Sequence, residues 1–145
     1  MANIVPDSFK TDLLKGIFDF KSAAQGGGDT FNLALYTSSA TFTTATSSYS
    51  ATNEVSGTGY VAGGQALTNN GVAISSNIAY VDFDDETWTS ATITARYGLI
   101  YKSSASNEAV LVLDFGGDKT STNGDFTVAF PAASDSAAII RLGDA

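Results

Sequence analysis

Apolar residues recur at every second position over most of this chain. They recur at every third or fourth position only near its start, where Phe9, Leu13 and Ile17, with Leu14 and Phe18, fall at helical spacing. Pro6 sets up a helix start, with Asp7 or Ser8 as N-cap. The spacing predicts one short amphipathic helix, roughly Ser8–Phe20, behind an extended arm at residues 1–6. A helix of about three turns is marginal on its own. Its apolar face therefore docks either on the protein's own sheet or on a neighbouring subunit, which makes Phe9, Leu13, Ile17 and Phe18 candidate interface residues.

From Thr30 onward the period shortens to two. Phe31, Leu33 and Leu35 alternate with polar or small residues, and Val81 and Phe83 share a face of Ile78–Asp84. In Thr92–Tyr101, alternation places Ile93, Ala95, Tyr97, Leu99 and Tyr101 on one face, and Thr92, Thr94 and Arg96 on the other. Ala109–Phe115 is apolar on both faces and reads as a central strand. Asn70–Gly71 predicts a hairpin turn between Gln65–Thr68 and Val72–Ser75. Asn123–Gly124 marks another turn before Asp125–Phe130, Pro131 ends that strand, and Ala137–Leu142 supplies the last one. The Thr/Ser tract Thr41–Ser50 fits an edge strand or an irregular loop, and the glycines of Glu54–Gly64 predict a bulge, a kink or close backbone contact. The pattern gives eight or nine short strands at the spacing of a sandwich. The expected fold is all-β: a two-sheet antiparallel sandwich, jelly-roll-like, with one amphipathic helix. Residues 1–22 form the arm and helix, and residues 23–145 form the sandwich of a single globular unit.

Composition narrows the function. The chain has 145 residues, enough for one domain with a proper core. Charged residues make up 15%, against about 25% in typical domains, and 17 Ser and 17 Thr fill the gap. A net charge of −8 argues against nucleic-acid binding and against adsorption to anionic lipid. Lys10, Lys15 and Lys21 form the one close basic grouping, and Asp7, Asp12 and Asp19 offset it. No stretch approaches a membrane span, and MANIVPDSFK lacks the charged start and apolar core of a signal peptide, so synthesis in the cytoplasm is expected.

Candidate chemistry is sparse. Without Cys or His, disulfides, Ser-His-Asp and Cys-His arrangements and most transition-metal sites lose their parts. The dense carboxylate set is Asp82, Asp84, Asp85 and Glu86. Asp82 and Asp84 on one strand face are a candidate catalytic pair, and Asp82, Asp84 and Asp85 are candidate Ca²⁺ ligands. The spaced Asp/Asn/Gly loop that completes a Ca²⁺ shell is missing, and a solvated turn at a strand end is the favoured reading of the cluster. Asp114 and Asp118 form a second acidic turn. Trp88, flanked by Thr87 and Thr89, is either a core anchor or a sugar-stacking face. Arg96 and Arg141 sit in apolar strands, which predicts that each pairs with a carboxylate or crosses an interface. The reading from residues is a non-enzymatic domain without cofactor.

The strings VPDSFKTDLLKGIFDF, DTFNLALYTSSATFTTATSSYS, EVSGTGYVAGGQAL, VDFDDETWTSATITARYGLIY and LDFGGDKTSTNGDFTVAF occur in this order over roughly residues 2–142. Together they resemble a family of small structural proteins of tailed bacteriophages. The resemblance implies a virion protein, with capsid cement or decoration as the foremost role. Its implied partners are the major capsid protein or other virion subunits, and it implies a homotrimer on the outside of the head. It also leaves a tail, neck or fibre component open, and it carries no catalytic residues over. A carbohydrate-binding module built on Trp88 is the competing reading from the residues.

Overall fold

A computed structural model describes residues 2–144. One helix, α1 (Asp7–Leu14), precedes a 3₁₀ turn at Ala23–Gln25 and seven strands. These are β1 (Phe31–Tyr36), β2 (Gln65–Ala66), β3 (Asn69–Ser75), β4 (Ile78–Phe83), β5 (Glu86–Lys102), β6 (Ala109–Val128) and β7 (Ile140–Leu142). They form two antiparallel sheets, ordered β2-β1-β5-β6 and β3-β4-β7, so the expected all-β, two-sheet sandwich is what the chain adopts.

The helix is shorter than its apolar spacing predicts. Gly16 takes φ +75°, and the Ile17 N–H turns back to the Asp12 carbonyl at 3.0 Å, so the chain leaves the helix there and Ile17 and Phe18 are not helical. Neither Asp7 nor Ser8 caps it; Pro6 occupies the N-cap without a side-chain bond, and the Thr44 carbonyl accepts from the Asp7 N–H. Lys10 pairs with Asp7, Lys15 with Asp12 and Lys21 with Asp19, the three offsets expected from sequence.

Two predicted turns are bulges. At Asn70–Gly71 the register of β3 against β4 shifts, and the strand runs on through both residues. Gly71 has φ +84°, and a Cβ there would strike the Gln25 amide and the Ser22 hydroxyl, so the dipeptide meets a packed loop where a hairpin was expected. Ser76 and Asn77, both with positive φ, make the actual β3–β4 turn. Asn123–Gly124 is likewise a register shift inside β6, which merges two predicted short strands into one.

The apolar residues fall into two layers. Between the sheets lie Phe31, Leu33, Leu35, Val81, Phe83, Trp88, Ile93 and Phe126, joined by Phe9, Phe18 and Phe20 from the first segment. On the other face of the four-stranded sheet, Ala34, Tyr36, Leu99, Tyr101 and Val112 pack under the loop residues Ala40, Phe42 and Tyr49. This second layer corrects two expectations. Ala109–Phe115 belongs to the edge strand of its sheet, and both its faces are apolar because one meets the sandwich core and the other the loop layer. The apolar row of β5 also divides. Between the pairs Ala95↔Lys119 and Tyr97↔Asp114, β6 carries extra residues, and past this bulge Tyr97, Leu99 and Tyr101 face the loop layer while Ile93 and Ala95 face the core.

Candidate interaction face

The acidic turn does not assemble into a site. Asp82 lies on β4 and is 1% exposed, Asp84 and Asp85 are exposed beyond the strand end, and Asp85 Oδ1 accepts the Phe130 N–H at 2.7 Å. The strand stops at Phe83, so the alternation that would bring Asp82 and Asp84 to one face is lost. Among the described residues no three His, Cys, Asp or Glu side chains group to hold a metal ion, which corrects the candidate Ca²⁺ ligand set Asp82, Asp84 and Asp85.

Asp82 is instead a buried acid with one satisfied oxygen. Oδ1 accepts its neighbour's Phe83 N–H at 2.9 Å, whereas Oδ2 has no hydrogen-bond partner. Burial raises its pKa above the ordinary carboxylate value, and the Phe83 and Ile139 amides oppose that shift. The folded state therefore holds the Asp82 proton more tightly than the unfolded chain, so this residue weakens the fold at neutral pH and that penalty fades as pH falls through its raised value. Asp114 acts in the opposite sense. The Gly116 N–H and then the Arg96 guanidinium lower it to about 2, so its stabilisation is present above the unfolded value of about 3.9 and is lost as pH falls toward 2. Thermal unfolding of Asp82→Asn should show a higher Tm than the wild type at pH 7 and a difference that shrinks by pH 4. An equal or lower Tm at pH 7 would contradict the buried-acid reading.

The other singled-out residues serve the fold. Arg96 binds Asp114 through Nε at 3.0 Å and Nη2 at 3.3 Å, as predicted for a strand-borne guanidinium. Arg141 donates to the Asp135 and Ser136 carbonyls, so backbone oxygens take the place of the carboxylate that was one of its two expected partners, the other being an interface. Trp88 is 0% exposed, stacked on Tyr60 with ring centroids 5.9 Å apart, and offers no face to a sugar.

Two polar centres escape sequence reading, one because an irregular loop folds back on itself and one because its members lie 85 residues apart. Glu54 accepts from the Tyr49 hydroxyl (2.7 Å), the Tyr60 hydroxyl (2.6 Å) and the Gly63 N–H (2.7 Å), and so fastens the long β1–β2 connection to itself. Burial, and then the bond to Glu54, hold the Tyr49 and Tyr60 phenols well above their ordinary pKa. Lys102, buried at the end of β5, donates to the Ile17 carbonyl at 2.8 Å, lies 3.6 Å from Asp29 and sits over the Phe18 ring.

What remains is an apolar face that the fold does not cover. The strand registers place Val72, Val81 and Ile140 in one cross-strand row, and Ile74, Ala79 and Leu142 in the next row on the same face. In the first row Val81 enters the core; in the second, Ile74 is 74% and Leu142 56% exposed. The three-stranded sheet thus overhangs the sandwich, and its core-facing surface continues into solvent. Opposite it stands the end of α1, where Leu14 is 88% exposed. A groove of about 650 Å³ runs between α1 and β7, lined by Val5, Leu13, Leu14, Ile139 and Leu142. A second, of about 300 Å³, continues from Leu13 and Phe18 to Val72 and Ala79. Of the four residues predicted for an interface, Phe9 and Phe18 are buried in the protein's own core and are withdrawn from that role, Leu13 is half-buried in the groove wall, and Ile17 is exposed.

No family model matches the chain, and no curated protein and no solved structure matches it.

Proposed function

We propose that this protein is a non-enzymatic structural subunit of a bacteriophage virion, a capsid cement or decoration protein that binds the outside of the head and bridges capsomers. The observation that carries the reading is the uncovered apolar mouth between α1 and the overhanging β3-β4-β7 sheet. Exposed contiguous apolar surface of this kind marks a protein contact. Elsewhere in the chain, Arg96 is bound to Asp114, Lys102 to the Ile17 carbonyl and Glu54 to two tyrosines. The resemblance of the sequence to phage structural proteins supplies the kind of assembly. A net charge of −8 suits the exterior of a head better than a place against packaged DNA.

Purified protein added to expanded, undecorated heads tests this. The expected result is saturable binding at hundreds of copies per head and a higher temperature of head disruption. Binding to tails alone, at a dozen copies or fewer, would move the protein to the tail or neck, and no binding to any particle would overturn the reading.

A further inference from the structure

We propose that the loop layer on the four-stranded sheet holds a binding pocket for one neutral sugar ring, either a free hexose or the terminal hexose of a glycan. The site is separate from the mouth and from Trp88, which lies in the core on the opposite face of that sheet.

The loop that builds the pocket is long and fixed. Residues 37–64, between β1 and β2, form no helix or strand of their own. Connections of that length are usually either functional or disordered, and this one is pinned throughout. The Tyr36 hydroxyl donates to the Ser50 carbonyl at 2.7 Å, Asn53 Nδ2 donates to the Ser39 carbonyl at 3.1 Å, and Glu54 gathers Tyr49 and Tyr60. The walls therefore stand before a ligand arrives, so binding costs little ordering entropy.

The lining selects the ligand. A cavity of about 280 Å³ opens among Tyr36, Thr41, Phe42, Ser48 and Asn53. Residues 30–53 contain no Asp, Glu, Lys or Arg, in a chain of net charge −8. An ionic ligand finds no counter-charge there. Thr41 and Ser48 are exposed, and their hydroxyls have no partner within the chain. Each can rotate to donate or accept. Asn53 has its Nδ2 engaged and keeps Oδ1 as an acceptor. Phe42 is half-buried and held in T-shaped contact with Tyr36 at 5.0 Å and Tyr97 at 5.6 Å, which makes it a rigid apolar wall. A sugar ring matches both features: hydroxyls around its edge for Thr41, Ser48 and Asn53, and C–H groups on its faces for Phe42. A wholly apolar ligand would leave those polar groups unpaired.

The test is amide-resolved NMR of the full chain titrated with D-glucose, D-galactose, D-mannose and N-acetyl-D-glucosamine, with N-acetylneuraminic acid as the charged comparator. At least one neutral sugar should give saturable shifts at the Thr41, Phe42, Ser48 and Asn53 amides, with an affinity unchanged between low and high salt. Thr41→Val and Ser48→Ala, at exposed positions, should each weaken that binding by about threefold or more with Tm unchanged, and Thr122→Ala on the distant β6 edge should bind as wild type. No saturable shift from any of the four sugars, shifts centred elsewhere, tighter binding of the charged sugar, or variants that bind as well as wild type would overturn the proposal. Its failure leaves the virion reading standing, because head binding is measured without any sugar present.

Discussion

Replacing Trp88 with alanine should lower the unfolding free energy by about 3–5 kcal/mol, read by urea denaturation with far-UV circular dichroism. Trp88 is fully enclosed in the inter-sheet core, stacked on Tyr60 and edge-on to its register partner Phe126 at 6.3 Å. The Tyr60 hydroxyl in turn receives the Leu35 N–H at 2.9 Å, so the rings are pinned from the β1 side and cannot close over the space left behind. Trp88→Phe should cost clearly less. It keeps most of the ring volume and removes an indole N–H that is buried without a partner. A loss below about 1 kcal/mol for the alanine variant would mean that Trp88 is not enclosed. In that event the sugar-stacking reading would regain its residue.

Glu54→Ala should destabilise by about 2–4 kcal/mol, since it strands donors that now bond a carboxylate. Tyr49, Tyr60 and Gly63 all give their hydrogens to Glu54, and the loop they belong to forms the layer over Tyr36, Leu99 and Tyr101. The damage should therefore be largest in that layer. Amide hydrogen exchange should accelerate first at Val55 and Ala40, whose N–H groups bond the Leu35 and Thr37 carbonyls. Tyr60→Phe should lose less than Glu54→Ala, because Gly63 and Tyr49 keep their acceptor. Equal losses would place the energy in the tyrosine alone.

The sequence makes the sandwich legible and leaves the mouth hidden, for reasons that can be traced. Alternation finds β1, β4 and the Thr92–Tyr101 part of β5, because each is buried on at least one face. It misreads β3 and β6 where bulges interrupt them, since Asn-Gly serves a hairpin turn and a bulge with the same backbone freedom. The misread Asn70–Gly71 is the costly one. It sets Val72–Ser75 against Gln65–Thr68, when in fact Ile74 pairs with Ala79 and the strand ends of β2 and β3 lie in different sheets. Without that register Ile74, Ala79 and Leu142 do not form a row, and no overhang can be inferred. For the helix, Gly16 was the available stop signal; apolar spacing alone carried the helix past it and enrolled Ile17 and Phe18 in a face they do not share. Glu54 and Lys102 depend on partners several residues to most of a chain-length away, such as Lys102 and Ile17, which local pattern cannot join.

The central claim is that this fold works by adhesion, through core-like surface left open at one end of the sandwich. Electron cryo-microscopy of the intact particle that contains the chain tests it most directly. The account predicts Leu14, Ile74 and Leu142 packed against protein, with copies clustered on the outer surface of the head. A map in which those three side chains face open solvent while the subunit is held by some other surface would contradict it.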